Sequence, residues 1–181
     1  MTDDGTAELA AEFLNDSRGL YAVLDPACEP AVLNLLADSK CQHQTLYGGK
    51  MAERLKDFGP ILVDLKQDPS LLKKLIEEGW GKAWGIYLHS TAGFENVRDS
   101  LRRLLGVEMP DGGRALFRFY DPRVFRAFLP TCQPEERELF FGKLISSYWV
   151  EYPGEETLLR FRSDGSITAF APLPTILPSL V

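Results

Sequence analysis

The sequence predicts an α/β protein with a mostly parallel sheet flanked by helices and a short C-terminal β-hairpin-like extension. Two observations lead to this fold class. From residue 20 to about residue 145, short apolar runs alternate with segments whose apolar residues recur at helical spacing. Such alternation is typical of a parallel sheet covered by helices. Beyond residue 145 the pattern changes to two strand-like runs separated by Pro153-Gly154, which predicts a hairpin.

Four short apolar runs are predicted as strands of the main sheet. They cover residues 20–24, 61–65, 84–88 and 115–120. The last run alternates, with Phe117 and Phe119 on one face and Arg118 and Tyr120 on the other. We therefore expect both phenylalanines to point into the core.

Seven segments carry apolar residues at helical spacing and are predicted as helices. They lie in residues 9–14, 30–36, 51–58, 69–78, 94–105, 122–129 and 134–141. Asp68-Pro69 and Asp121-Pro122 are favoured helix starts, with aspartate as the N-cap and proline at the first helical position. Gly79 and Gly142 are predicted to end two of the helices.

The predicted organisation is one α/β lobe, residues 1–145, followed by a short variable extension, residues 146–181. The hairpin strands are expected at residues 145–152 and 158–162. Residues 167–181 are apolar and rich in proline, which disfavours a helix or a central strand. Such a segment is a poor solvent-exposed end unless it packs on another surface.

Composition and charge narrow the possible partners. The chain has 181 residues, of which 45% are hydrophobic, and a net charge of −6. Nucleic acids and anionic membranes both attract basic surfaces, so we expect neither as a partner. The acidic start Met1-Thr2-Asp3-Asp4 is unlike a signal peptide, and no apolar run approaches the ~18 residues of a membrane span. Three cysteines do not form a disulfide framework, so we expect a reduced, cytoplasmic protein.

Cysteine and histidine residues offer one candidate metal site. Cys41 and His43 are two residues apart, and Cys28 or Cys132 would have to complete the site. A closed zinc site needs four ligands, usually in two closely spaced pairs, and the sequence has only one such pair. We therefore expect no metal and no other cofactor, with these cysteines as ordinary buried residues.

A catalytic arrangement is the alternative hypothesis. His89 and Ser90 follow a predicted strand, where α/β enzymes often place functional groups, and Asp121 lies at another strand end. A small hydrolase or transferase would use these three residues. The sequence has no G-x-S-x-G nucleophile motif, so we expect no enzyme and predict that His89 caps the following helix.

The most distinctive segment, residues 117–130, is dense in aromatic and arginine residues. Its predicted structure is a strand, a turn capped by Asp121 and a short helix. Arg118 or Arg123 is placed to pair with Asp121. Aromatic and arginine residues are enriched at protein interfaces, so we predict a partner-binding surface here that includes Arg126.

The strand at residues 145–152 is predicted to contribute Tyr148 and Trp149 to the same surface. Side chains on a strand alternate, so its two faces each carry a large aromatic ring. An edge strand cannot bury both faces, which would leave one ring available to a partner. Trp149 is thus either an interface anchor or a core residue.

Several blocks of the sequence resemble one known family, the effector adaptors (effector chaperones) of the type VI secretion system. The most specific block is Phe117-Arg118-Phe119-Tyr120-Asp121-Pro122-Arg123-Val124. Other matching blocks, in order, are Leu20-Tyr21-Ala22-Val23-Leu24-Asp25, Leu46-Tyr47-Gly48-Gly49, Gly59-Pro60-Ile61-Leu62-Val63, Trp84-Gly85-Ile86-Tyr87-Leu88-His89-Ser90, Leu101-Arg102-Arg103-Leu104, Leu129-Pro130 and Phe140-Phe141-Gly142. Together they cover about residues 20–145.

The resemblance implies a function without catalysis. It implies an α/β adaptor lobe with a variable C-terminal part, which is short here. It also implies binding to one cognate secreted effector and to the VgrG spike, without a cofactor. The adaptor is expected to remain in the cytoplasm while its cargo is secreted. No catalytic residues are carried over from the family.

Overall fold

The computed structural model describes residues 3–55, 58–108, 111–152 and 157–171. Within these residues the helices are α1 (Asp3–Leu14), α2 (Ala31–Ala37), α3 (Gly49–Arg54), α4 (Pro69–Gly79), α5 (Phe94–Arg102), α6 (Pro122–Phe128) and α7 (Pro134–Phe141). The strands are β1 (Gly19–Leu24), β2 (His43–Thr45), β3 (Ile61–Asp64), β4 (Gly85–Ser90), β5 (Gly106–Glu108), β6 (Arg114–Leu116), β7 (Ile145–Tyr152), β8 (Thr157–Phe161) and β9 (Ile167–Phe170).

Seven of these strands form one sheet in the order β2-β3-β1-β4-β7-β8-β9. Every neighbouring pair in this sheet is antiparallel. Strands β5 and β6 form a separate antiparallel pair. The prediction of a mostly parallel sheet is therefore wrong, although strands and helices do alternate along the chain.

The connections between strands explain the antiparallel sheet. The chain leaves β1 at Leu24 and, after α2, β2 and α3, enters β3 at Ile61, which lies opposite Leu24. It leaves β4 at Ser90 and enters β7 at Ile145, which is again the facing residue. A connection that returns to the same end of a sheet makes its two strands antiparallel, whatever helices it contains.

The connection through α4 joins two strands that run in the same direction. Strands β3 and β4 are both antiparallel to β1, so they run parallel to each other with β1 between them. This is a split β-α-β unit. Helix α4 begins as predicted, because the Asp68 carboxylate accepts hydrogen bonds from the backbone N–H groups of Ser70 (3.1 Å) and Leu71 (3.2 Å).

Helices cover both faces of the sheet and bury a core on each. On one face, α1, α2 and α4 pack on alternate strand residues, and the buried side chains there include Leu9, Phe13, Val32, Leu36, Leu72, Leu75 and Trp149. On the other face, α5, α6 and α7 bury a second cluster that includes Val97, Leu101, Phe119, Phe125, Phe141 and Tyr148. The architecture is thus three layers, helix–sheet–helix.

The C-terminal strands belong to the main sheet and do not form a separate hairpin extension. β7 lies between β4 and β8, and β9 forms the sheet edge beside β8. The predicted pairing of β7 with β8 is confirmed, while Pro153-Gly154 and residues 172–181 lie outside the described residues. No helix within the described ranges is long and apolar enough to cross a membrane.

Candidate protein-binding site

The aromatic–arginine segment lies in the long connection between β4 and β7, on the face covered by α5, α6 and α7. The predicted strand over residues 115–120 is wrong, because β6 ends at Leu116 and a turn follows. The N–H of Phe117 donates to the Leu105 carbonyl at 2.8 Å, and the Asp121 N–H donates to the Arg118 carbonyl at 3.0 Å. Phe119 is fully buried as predicted, whereas Phe117 is only half-buried.

Asp121 is both a helix cap and an ion-pair partner. Its carboxylate accepts a hydrogen bond from the backbone N–H of Arg123 at 2.9 Å, and Pro122 occupies the first turn of α6, as predicted. The same carboxylate accepts two hydrogen bonds from the Arg123 guanidinium, at 2.9 and 2.7 Å. Burial alone would raise the pKa of Asp121, but these hydrogen bonds and the nearby guanidinium charges lower it overall.

A second buried carboxylate, Asp25, holds Arg118 from the end of β1. Asp25 is 1% exposed, and its carboxylate pairs with Nη2 of Arg118. Its other oxygen accepts the N–H of Ala27 at 3.1 Å. Nη2 of Arg118 also lies 3.9 Å from the Asp121 carboxylate. A buried charge is tolerated when it is paired and hydrogen-bonded in this way, so Asp25 fixes the position of Arg118.

Tyr120 connects this ion-pair cluster to the segment around Tyr47. The Tyr120 side chain is buried in the same core cluster as Tyr47, and burial raises the pKa of Tyr120. The Arg118 guanidinium lies 6.0 Å from the centre of the Tyr120 ring. Gly49, two residues after Tyr47, has a φ of +53°, a left-handed conformation that favours glycine.

We call Asp25, Arg118, Tyr120, Asp121 and Arg123 the arginine corner. Its carboxylates are buried, whereas the side chains of Arg118 and Arg123 are 47% and 63% exposed. Each guanidinium has five N–H donors, and the carboxylates use only part of them. The remaining donors are held in place at the surface, ready for carbonyl or carboxylate groups of a partner.

Arg126 and Phe128 lie two residues apart on α6, so their side chains point to different sides of the helix. Arg126 donates to the backbone carbonyl of Glu151, and burial lowers the pKa of its guanidinium. Phe128 is 38% exposed, and its ring centre lies 4.8 Å from that of Phe117 and 5.9 Å from that of Phe140. Phe128 is therefore an anchored ring with one side towards solvent.

The two other predicted partner-binding residues, Tyr148 and Trp149, lie in the core. β7 is an interior strand, so the expectation that an edge strand exposes one of these rings is wrong. Tyr148 is 0% exposed and donates to the Phe140 carbonyl at 2.7 Å. Trp149 is 2% exposed, and its Nε1 donates to Nδ1 of His89 at 3.0 Å. Neither ring reaches the surface, so only the arginines and Asp121 remain as site candidates.

The residues of the enzyme alternative are engaged in structural hydrogen bonds. His89 is fully buried between Trp149 and α1, where its Nε2 lies 2.9 Å from the carbonyl of Phe13. The predicted capping role of His89 is wrong, because Gly93 is the N-cap of α5. The hydroxyl of Ser90, also buried, donates to the Leu144 carbonyl at 2.7 Å. Since His89 and Ser90 are adjacent on β4, their side chains point to opposite faces of the sheet.

The candidate metal ligands are dispersed. Cys41 is buried, and burial raises the pKa of its thiol to about 11. Cys132 is buried, Cys28 is exposed, and His43 Nδ1 lies 3.0 Å from the Cys41 carbonyl oxygen. Among the residues that the structure describes, no group of three or more histidine, cysteine, aspartate or glutamate side chains is placed to hold a metal ion.

Sequence reasoning missed Asp25 as a member of the site. Asp25 and Arg118 are 93 positions apart, so no local pattern connects them. The available signal was an aspartate directly after a buried strand, in one of the blocks that carry the family resemblance. In the structure, three such blocks converge, because Asp25, Tyr47 and residues 118–123 come from different blocks.

The protein is thus a three-layer helix–sheet–helix domain with an antiparallel sheet and an ion-paired polar surface. The chain belongs to the family described as Domain of unknown function (DUF4123), whose model matches residues 20–139. This range agrees with the predicted extent of the resemblance and ends just before β7. Neither the curated proteins nor the solved structures contain a match to the chain.

Proposed function

We propose that this protein is an adaptor that binds one cognate type VI secretion effector and helps to load it on the VgrG spike. The observation that carries the proposal is the arginine corner, where three separate family-like blocks meet around two buried carboxylates. Family membership supports the assignment, since the resemblance to effector adaptors covers nearly the same residues. In this proposal the adaptor works in the cytoplasm, without catalysis or a cofactor.

The geometry of the corner suits recognition of a protein partner. Buried carboxylates restrict the rotation of Arg118 and Arg123 before any partner arrives, which reduces the entropy cost of binding. Arginine and aromatic residues are the side-chain types that most often anchor protein interfaces. Phe128, on the same helix as Arg123, is 38% exposed and offers an apolar contact.

Reconstitution of this chain with two purified partners, a toxin and the spike protein, tests this function. The chain is mixed with a candidate secreted toxin from a neighbouring gene and with the VgrG spike protein, and complexes are separated by size-exclusion chromatography. The proposal predicts a complex with the toxin and a further complex that includes the spike. If the folded chain binds neither protein, the adaptor function is wrong.

A further inference from the structure

The short helix α3 forms one wall of an apolar groove with a basic rim. Ala52 and Leu55 pack on the core beneath α3, whereas Met51 is 41% exposed. The groove has a volume of about 520 Å³, and Lys50, Met51, Arg54 and Leu55 line it. The helix thus presents an apolar surface to solvent where most helices of this chain bury theirs.

The charges around the groove are arranged in a stripe. Lys50 and Arg54 are one helical turn apart, as are Met51 and Leu55, so a basic stripe runs beside an apolar one. Neither Lys50 nor Arg54 forms an ion pair or a hydrogen bond through its side chain with any residue in the described ranges. Lys50 and Arg54 are exposed, and the exposed Glu53 lies on the same helix, so the described residues of α3 carry a small excess of positive charge.

We propose that this α3 groove binds an acidic amphipathic segment of the cargo protein. Apolar side chains of that segment contact Met51 and Leu55, and flanking carboxylates pair with Lys50 and Arg54. This inference rests on the proposed adaptor function and names the chemistry of the cargo's contact.

The α3 groove adjoins the arginine corner through the segment before α3. Nη2 of Arg102 lies so close to Gly48 that a Cβ on this glycine would be 2.0 Å from it. Arg102 is 38% exposed, and its Nη1 lies 3.7 Å from the Asp99 carboxylate, so its charge already has a partner. Tyr47, the residue preceding Gly48, is buried in the same core cluster as Tyr120 of the corner. One cargo protein can therefore contact both surfaces.

Charge and apolarity together favour this occupant over two others. A nucleic acid would use the cations but would leave Met51 and Leu55 without a partner. A second copy of the chain, docked by two-fold symmetry through the same groove, would bring Lys50 and Arg54 of both copies together, and like charges repel. The carboxylates of an acidic amphipathic segment pair with Lys50 and Arg54, and its apolar side chains contact Met51 and Leu55.

A designed peptide pair tests the chemistry of the groove directly. The probe is a fluorescently labelled helical peptide of about 18 residues with leucines on one face and glutamates flanking them, and the reference peptide carries lysine in place of each glutamate. Both are titrated against the full-length wild type and Lys50→Glu/Arg54→Glu. The matched control is Lys73→Glu/Lys74→Glu, which reverses two exposed charges on α4, in the opposite helical layer.

We expect the acidic peptide to bind the wild type and the α4 control alike, and to bind Lys50→Glu/Arg54→Glu about tenfold or more weakly. All three proteins should melt within about 2 °C of one another, because the changes are at exposed positions. Equal binding of the lysine peptide, failure of the acidic peptide to bind, or equal loss in the α4 control would each overturn the proposal. So would a wild-type dimer that Lys50→Glu/Arg54→Glu converts to a monomer, since the groove would then be a self-interface.

The same variants, assayed with the adjacent secreted toxin, separate this inference from the adaptor function. If the toxin binds wild type and Lys50→Glu/Arg54→Glu equally well, the groove assignment is wrong and the adaptor function stands. If the acidic peptide binds as expected but neither toxin nor spike binds, the adaptor function is wrong and the peptide-binding groove stands.

Discussion

The buried polar side chains on the two faces of the sheet have different kinds of partners. On the face covered by α1, α2 and α4, His89 is enclosed, and its ring nitrogens contact Phe13 and Trp149 inside the core. On the other face, Asp25 and Asp121 are buried but pair with arginines that reach the surface. His89 is therefore held by neutral hydrogen bonds, although the Asp16–Arg18 ion pair and Arg160 lie beside it. Asp25 and Asp121 instead pair directly with half-exposed guanidinium groups. The proposed partner surface lies on this second face, where the ion-paired arginines are the more exposed.

The largest expected effect is truncation of Phe119, which separates the buried part of the aromatic segment from its surface part. Phe119→Ala should cost about 3–5 kcal/mol of unfolding free energy, as does loss of other buried phenylalanines. Phe117→Ala should cost only about 1–2 kcal/mol, because this ring is half-buried. Urea denaturation measures both, with Phe13→Ala as the buried control on the opposite face. Equal losses of unfolding free energy at Phe117 and Phe119 would indicate that both rings are buried, as in the regular strand that the sequence predicted.

Removal of the Arg118 guanidinium tests the ion pair that ties the second face to β1. Arg118→Met should cost about 2–3 kcal/mol, since it leaves the Asp25 carboxylate buried and unpaired, although Arg118 itself is half-exposed. Asp25→Asn in the same protein should recover part of this loss. A double-mutant cycle by chemical denaturation measures the coupling. Additive losses would show that Asp25 and Arg118 do not stabilise each other.

Two substitutions of Asp121 separate its contribution as a helix cap from its contribution as an ion-pair partner. Asp121→Ala removes both interactions and should cost about 1–2 kcal/mol. Asp121→Asn keeps an oxygen for the cap but loses the charge, so it should cost about 0.5–1 kcal/mol, in the range of exposed ion pairs. Thermal melts of the two variants measure the difference. A silent Asp121→Asn would mean that only the cap contributes.

A smaller effect is expected at His89, which is enclosed on the face covered by α1, α2 and α4. The pH dependence of the unfolding free energy tests this enclosure. Burial lowers the pKa of His89 below 6.5, although the Phe13 carbonyl and Asp16 act in the opposite direction; Arg18 and Arg160 reinforce the lowering. Because Trp149 Nε1 can only donate, His89 Nδ1 must accept, so the neutral ring with its proton on Nε2 fits this pocket. A depressed pKa means that the unfolded chain binds the proton more readily, so this contribution to stability is complete above about pH 6.5 and declines as the pH falls.

Unfolding free energies at about pH 7.5 and pH 5.5 measure this contribution. We expect the wild type to lose more stability at the lower pH than His89→Phe, which has no ring proton to gain. His43→Gln, at an exposed position, is the matched histidine control and should follow the wild type. Identical pH profiles for the wild type and His89→Phe would contradict the neutral, enclosed histidine.

The local elements of both faces were predictable, whereas their arrangement was not. Hydrophobic periodicity located β1, β3, β4, β7 and all seven described helices, because that signal lies within a few turns of chain. Strand direction depends on where the chain re-enters the sheet, and no residue between Leu24 and Ile61 encodes that choice locally. The alternation of strands and helices was therefore compatible with an antiparallel sheet as well.

The candidate site was predictable only in part, for a related reason. Asp121 and its arginines are neighbours in sequence, so the cap and the pairing with Arg123 followed from spacing. Asp25 is brought to Arg118 by the tertiary fold alone. Trp149 was misjudged as an anchor because its exposure depends on β7 having β4 and β8 as neighbours, and strand order is a property of the whole sheet.

The affinity of the proposed effector for variants of the arginine corner tests the central claim most directly. Arg118→Lys/Arg123→Lys keeps both positive charges near Asp25 and Asp121 but removes the planar guanidinium groups. Calorimetric titration of the purified toxin should show about tenfold or greater loss of affinity, with a melting temperature within about 2 °C of wild type. Arg162→Lys, which follows β8, is the matched control and should bind normally. Unchanged affinity in the double variant would contradict the assignment of this corner as the binding site.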